Sequence, residues 1–193
     1  MNRQLMTLGT LAIVLSTGPV WAADDEKPAA KSAPPQADQL PFVEPPAAFD
    51  RLRKLVGKWE GTEDTPDGKK KVAVEYQLTS AGTVLTERLF PGKPHEMFTL
   101  YHGDGDDILM THYCALGNQP RMKLAKSGNS KMLKFVFVDG TSMESADDPH
   151  MHQLKMTFVD GDRIKHEWEF HAGGKRQRVV RFELERVAEA KKK

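Results

Sequence analysis

From Val72 onward, apolar and polar residues alternate in short runs. "VAVEYQL" places Val72, Val74, Tyr76 and Leu78 on one side, and "MHQLKMTF" does the same for His152, Leu154, Met156 and Phe158. "IKHEWEF" sets Ile164, His166, Trp168 and Phe170 against Lys165, Glu167 and Glu169, and "VVRFELER" sets Val180, Phe182 and Leu184 against Arg181, Glu183 and Glu185. Period-two alternation of this kind marks half-buried antiparallel strands. Turn signals such as "TPDGKK", "PGKPH", "GDGDD", "LGNQP", "SGNS" and "AGGKR" separate the runs, and Pro66, Pro91, Pro94, Pro120 and Pro149 all fall at turns. About ten strands are predicted, near 58–64, 70–78, 83–90, 96–102, 107–115, 121–126, 131–138, 151–159, 163–171 and 175–187. Nearly every connection is short enough for a hairpin, the exception being 139–150. A flat meander of this length would expose two edges, so the predicted fold is an all-β, up-and-down antiparallel barrel.

One stretch has helical periodicity instead. In "AAFDRLRKLVG", Phe49, Leu52, Leu55 and Val56 share a face, Pro46 starts the segment and Gly57 ends it. "GKWEG" follows directly. A short helix, then Gly57-Lys58-Trp59 on the first strand, then a meander, resembles the lipocalin-like (calycin) barrels and nitrobindin-like and other exported bacterial barrel families. The resemblance implies that Trp59 packs near the closed end beside an arginine of the last strand, Arg186 or Arg181. It also implies that the opposite rim is the mouth. The lipocalin disulfide and second motif are absent, so no lipocalin ligand carries over.

Alternating hairpins let the ends be assigned by counting. The turns near 65–69, 91–95, 116–120, 139–150 and 172–174 lie at the far end, away from the helix. A turn centred near Gly105 would put Phe98, Leu100 and His102 on the inner face with Ile108, Met110, His112 and Cys114. A one-residue slip would reverse that placement on one strand. His112 and Cys114 in "THYCALGNQP" then point inward near the rim. His95 lies in a far-end turn, and His150 and His152 flank the long far-end loop. His102 and His166 share inward parity but sit nearer the closed end. His95, His112, Cys114, His150, His152 and Trp168 are therefore the candidate ligand-binding residues, because barrel mouths commonly hold small ligands.

Three chemistries are compatible with these residues. The first is binding of a small, largely apolar molecule in or at the mouth, with no cofactor. A barrel of about ten strands is wider than one layer of side chains fills easily, and Trp168, Phe170, Phe135 and Phe137 serve equally as core or cavity lining. The second is a haem or zinc site using His112 or His152, although no Cys-x-x-Cys or His-Glu-x-x-His is present. The third is catalysis through Cys114 or a histidine; side chains two apart on a strand stand ~7 Å apart, so a base for Cys114 would come from another strand. "GDGDDILM" lacks the spacing and terminal Glu of a calcium loop.

Charge and composition narrow the setting. Met1–Gln4 carries Arg3, Leu5–Val20 is mostly apolar, and "VWA" offers small residues at a cleavage site, so residues 1–22 read as a secretory signal peptide and the protein as exported, periplasmic or secreted. Residues 23–46 are Pro/Ala-rich and lack apolar periodicity, as expected of a flexible linker; 47–187 is the barrel domain and 188–193 a basic tail. The chain has 28 Lys and Arg against 27 Asp and Glu, and loss of Arg3 with the signal leaves the charges balanced. Nothing in that balance calls for nucleic acid or anionic lipid. The single cysteine leaves no intramolecular disulfide, so the fold rests on its core.

Overall fold

The computed structural model describes residues 42–188. The predicted signal peptide, the linker as far as residue 41 and the tail beyond Ala188 lie outside them. A 3-10 turn (Ala47–Phe49) leads into the helix α1 (Asp50–Arg53). Ten strands follow: β1 (Gly57–Thr65), β2 (Gly68–Thr79), β3 (Val84–Leu89), β4 (Met97–Asp104), β5 (Asp107–Tyr113), β6 (Gln119–Leu124), β7 (Met132–Thr141), β8 (His150–Phe158), β9 (Arg163–Ala172) and β10 (Lys175–Arg186). Each pairs antiparallel with its sequence neighbour, and β1 pairs with β10 to close the barrel. Closure needs Gly61: a Cβ there would meet the Glu183 carbonyl oxygen of β10 at 1.8 Å. No helix among the described residues is long and apolar enough to cross a membrane.

The period-two faces become interior and exterior. Val72, Val74 and Tyr76 of β2, Leu85 and Leu89 of β3, Leu133 and Phe135 of β7, Ile164 and Trp168 of β9, and Phe182 and Leu184 of β10 form one buried core. Phe49, Leu52 and Leu55 of the helical segment are fully buried against it and plug one end. Pro45 and Pro46 pack on Gly103, where a Cβ would meet the Pro46 ring at 2.7 Å. At this end Trp59 is buried and lies opposite Arg186 across the β1–β10 seam. The Arg186 guanidinium, not that of Arg181, sits over the indole at 4.2 Å. Gly57 makes room for it: its φ is +125°, and a Cβ would stand 3.2 Å from Arg186 Nη1.

The structure corrects three sequence expectations. Asp104 pairs with Asp107, so the β4–β5 turn is the two-residue Gly105-Asp106 and not a turn centred on Gly105. That one-residue difference moves every β4 side chain to the other face. Thr99 and Tyr101 are buried beside His112 and Met110, whereas Phe98 is exposed and His102 is half-buried. On β8, a bulge between Met151 and Gln153 takes His152 out of the alternating pattern, and Met151 pairs with Phe170 in its place. Pro120 is the second residue of β6, opposite Gly140, and not a turn residue.

Candidate functional site

The end away from α1 contains a pocket of about 200 Å³. Its residues come from strand ends that the alternating topology brings together: Leu89 and Phe90 after β3, His95 and Met97 around the next turn, His112 near the end of β5, Met151 at the start of β8, Trp168 on β9, and Val180 and Phe182 on β10. Glu63 and the exposed Arg178 complete the lining. Larger hollows lie elsewhere, one of about 890 Å³ beside Gly57, Tyr76 and Arg186 at the helix end, but His112 and Trp168 do not line it. Phe90 holds φ +54°, a left-handed conformation rare for a bulky residue. It is held there by its N–H donating to the Ala73 carbonyl at 3.0 Å, and its ring meets Phe182 edge-on at 5.9 Å and His95 at 4.7 Å. Backbone strain of this kind concentrates at ligand clamps.

His112 and Trp168 are each 1% exposed, and their rings lie 4.7 Å apart. Each has a nitrogen without a partner: His112 Nε2 and Trp168 Nε1. Burial alone lowers the His112 pKa to about 4, so its imidazole is neutral at physiological pH. His112 Nδ1 lies 2.9 Å from Thr99 Oγ1. The Thr99 hydroxyl stands across from Glu87 on the neighbouring strand. It has one proton to give. With that proton turned away from His112, Thr99 accepts from His112 Nδ1–H, and Nε2 is then a bare lone pair.

Below the pocket the hydrogen bonds continue into the core. Tyr101 donates to Glu87 Oε2, and the Tyr76 hydroxyl lies 3.2 Å from His166 Nε2. Glu87, Tyr101 and His166 are all wholly buried. Burial raises the Glu87 pKa to about 7, with the neighbouring Tyr101, Tyr76 and Thr99 hydroxyls opposing it. Burial lowers that of His166 to about 3. Glu87 Oε1 and His166 Nδ1 are 3.9 Å apart, each without a hydrogen bond. With His166 neutral, this contact is not an ion pair. Sequence reading found His166 by its parity; Thr99 was placed outside by the turn assignment, and Glu87 is a polar residue on the face of β3 that carries Leu85 and Leu89.

The remaining candidates lie elsewhere. Cys114 follows the last residue of β5 and is half-buried. Its N–H donates to the Asn118 carbonyl at 3.1 Å and its own carbonyl accepts from Gly117 at 2.9 Å, so it opens a turn and does not share a strand face with His112. Burial raises its thiol pKa, and it does not line the pocket. His150 and His152 sit where the sheet forks. The β7–β8 ladder stops at Val136–Gln153, whereas β7 stays paired with β6 to Thr141 and β8 with β9 to His150–His171. Aromatic rings stack in this fork: Phe137 on His150 at 4.3 Å, and His152 on His171 at 3.9 Å and 10°. His150 Nδ1 lies 2.6 Å from the Asp148 carbonyl, which requires N–H there; Nε2 then accepts from His152 Nδ1 at 2.9 Å. Burial, then His171 and His150, lower the His152 pKa. His112 and His152 are thus in separate surroundings, and among the described residues no three of His, Cys, Asp and Glu converge as a metal site.

Neither a protein-family model nor a curated protein matches this sequence. Among solved structures, the chain is similar to the crystal structure of Rv2717c from M. tuberculosis, with TM-score 0.50 and 18% identity over 75% of this chain and 100% of that one. It is also similar to a protein of unknown function of the DUF3598 family from Nostoc punctiforme PCC 73102, with TM-score 0.49 and 13% identity over 70% of this chain and 48% of that one. The likeness to Rv2717c lies in the barrel fold alone. A narrower lipocalin-like or nitrobindin-like kinship is not shown by these matches.

Proposed function

We propose that this protein is an exported barrel that binds a small, largely apolar molecule in the far-end pocket. The observation that supports this is a pocket walled by Leu89, Phe90, Met97, Met151, Val180 and Phe182 and backed by two buried rings with unpartnered nitrogens. Apolar walls with a few convergent polar groups are the usual make-up of a ligand site. The volume is below the roughly 300–1,000 Å³ of drug-sized pockets. It has room for about seven waters at liquid density, so the occupant is small. Titration of the purified full chain with toluene, followed by NMR of the Trp168 indole and the His112 amide, should give saturable shifts at both. Absence of saturable shifts at either would refute the reading. Export is tested by cell fractionation and N-terminal sequencing, with cleavage expected after Ala22.

A second reading, axial ligation of a haem iron by His112 Nε2, requires the mouth to widen, because a pocket of about 200 Å³ is smaller than a haem. One imidazole suffices for that, whereas zinc needs three or four protein ligands. The described residues offer no such group, so zinc does not fit. A haemin titration that yields a Soret band lost in His112→Ala would favour haem over the apolar ligand. Catalysis through Cys114 has no support in the site, since the thiol is protonated and outside the pocket.

A further inference from the structure

Resting on the ligand-binding reading above, we infer that the molecule taken up at the mouth is a small aromatic alcohol, of the phenol class, whose hydroxyl reaches His112 Nε2 and whose oxygen faces the Trp168 indole N–H. A buried polar atom without a partner is rare and calls for a missing partner. Here there are two, on rings 4.7 Å apart that both line one pocket. They are opposite in kind. Indole Nε1 only donates. With the ring proton on Nδ1, donating to Thr99 Oγ1 at 2.9 Å, His112 Nε2 accepts.

A ligand that satisfies both must donate and accept in a small volume. A hydroxyl does both with one oxygen. A carboxylate cannot donate to His112, and its charge would have no buried cation at these rings. Arg178 lines the pocket, but it is exposed and its guanidinium lies over Phe170 at 5.4 Å; Glu63, also lining, would repel an anion. A protonated amine would find one acceptor and leave its other protons among Phe90, Met97 and Phe182. An aromatic body suits the rest of the lining, where Phe90, Phe182 and Trp168 offer ring faces and edges and Met97 and Met151 offer adaptable sulfur contacts. A single six-membered ring with a hydroxyl also suits a pocket of about 200 Å³.

The test compares four probes of similar shape on the full chain: phenol, anisole, toluene and benzoate. Dissociation constants come from NMR titration at neutral pH. Phenol should bind at least tenfold tighter than toluene and anisole, because only phenol donates to His112, and benzoate should bind weakest. The ¹⁵N resonance of His112 Nε2 should move on adding phenol and stay put with toluene, a readout that needs no variant. In His112→Phe, phenol should lose its advantage over toluene while toluene still binds. Equal affinity for phenol and toluene, a preference for benzoate, or a phenol advantage that survives in H112F would each overturn the hydroxyl assignment and leave the pocket as an apolar site. Failure of all four probes to bind would overturn the ligand-binding reading itself.

Discussion

The two buried tryptophans of the barrel, Trp59 at the helix end and Trp168 at the mouth, are each 1% exposed yet are served in opposite ways. Trp59 Nε1 donates to the Leu55 carbonyl at 2.7 Å. The guanidinium over its ring donates in turn to the carbonyls of Val56 at 2.6 Å, Lys54 at 2.7 Å and Gly161 at 3.3 Å, and to Asp162. Every polar end in that clamp has a partner, and the clamp ties the helical segment, β1 and β10 to one another. Trp168 has the same burial and no partner, and the His112 ring beside it also lacks one. Burying an unsatisfied group costs about 1–3 kcal/mol, and here the cost falls on two rings that line the pocket. The contrast separates an end built for stability from an end that awaits an occupant.

The largest effect should come from the closed end. Trp59→Ala removes the clamp's platform and should cost about 3–5 kcal/mol in urea unfolding. The sharper comparison uses phenylalanine at both places. Trp59→Phe strands the Leu55 carbonyl and should cost about 1–3 kcal/mol. Trp168→Phe removes a donor that had no acceptor, so its stability should lie within about 1 kcal/mol of the parent, on either side. Equal losses in the two variants would mean that the partner at Leu55 contributes nothing and would erase the distinction between the ends.

The fold was legible in the sequence because alternation, turn residues and strand number all pointed one way. Ten predicted strands match ten observed ones to within a few residues. Counting hairpins put His95 and His112 at the far end, where they share a pocket with Trp168, but it also put Cys114, His150 and His152 there, and these do not line it. The details of the mouth were not legible. A two-residue turn at Gly105-Asp106 and a bulge at His152 each shift parity by one, and neither leaves a clear mark in the local pattern. Thr99 and Tyr101 were accordingly placed outside, and His152 inside. The partners of His112 were beyond reach for a related reason. Thr99 is on the adjacent strand and Glu87 one strand further, and only the register brings them beneath the imidazole.

The same interior makes a prediction about pH that the closed-end clamp, resting mostly on carbonyls, does not share. His112 and His166 have folded pKa values of about 4 and about 3 against 6.5 when unfolded. Below 6.5 the unfolded chain therefore takes up protons that the folded chain refuses, and stability falls as pH drops from 6.5 toward those values. Glu87 behaves in the opposite sense. Its folded pKa is about 7 against 4.5, so between those values the folded chain holds a proton that the unfolded chain has lost, and stability falls as pH rises through that window. From pH 5 to 6 these two histidines oppose one carboxyl with a net gain of about 1 kcal/mol per pH unit, and the lowered pKa of His152 adds to it in the same sense. Glu87→Gln keeps an acceptor for the Tyr101 hydroxyl and removes the opposing titration. The slope between pH 5 and 6 should then steepen by about 1 kcal/mol per pH unit, measured by urea unfolding at each pH. An unchanged slope in E87Q would show that Glu87 is already ionised in the folded barrel, and that the buried polar chain beneath the mouth holds a charge.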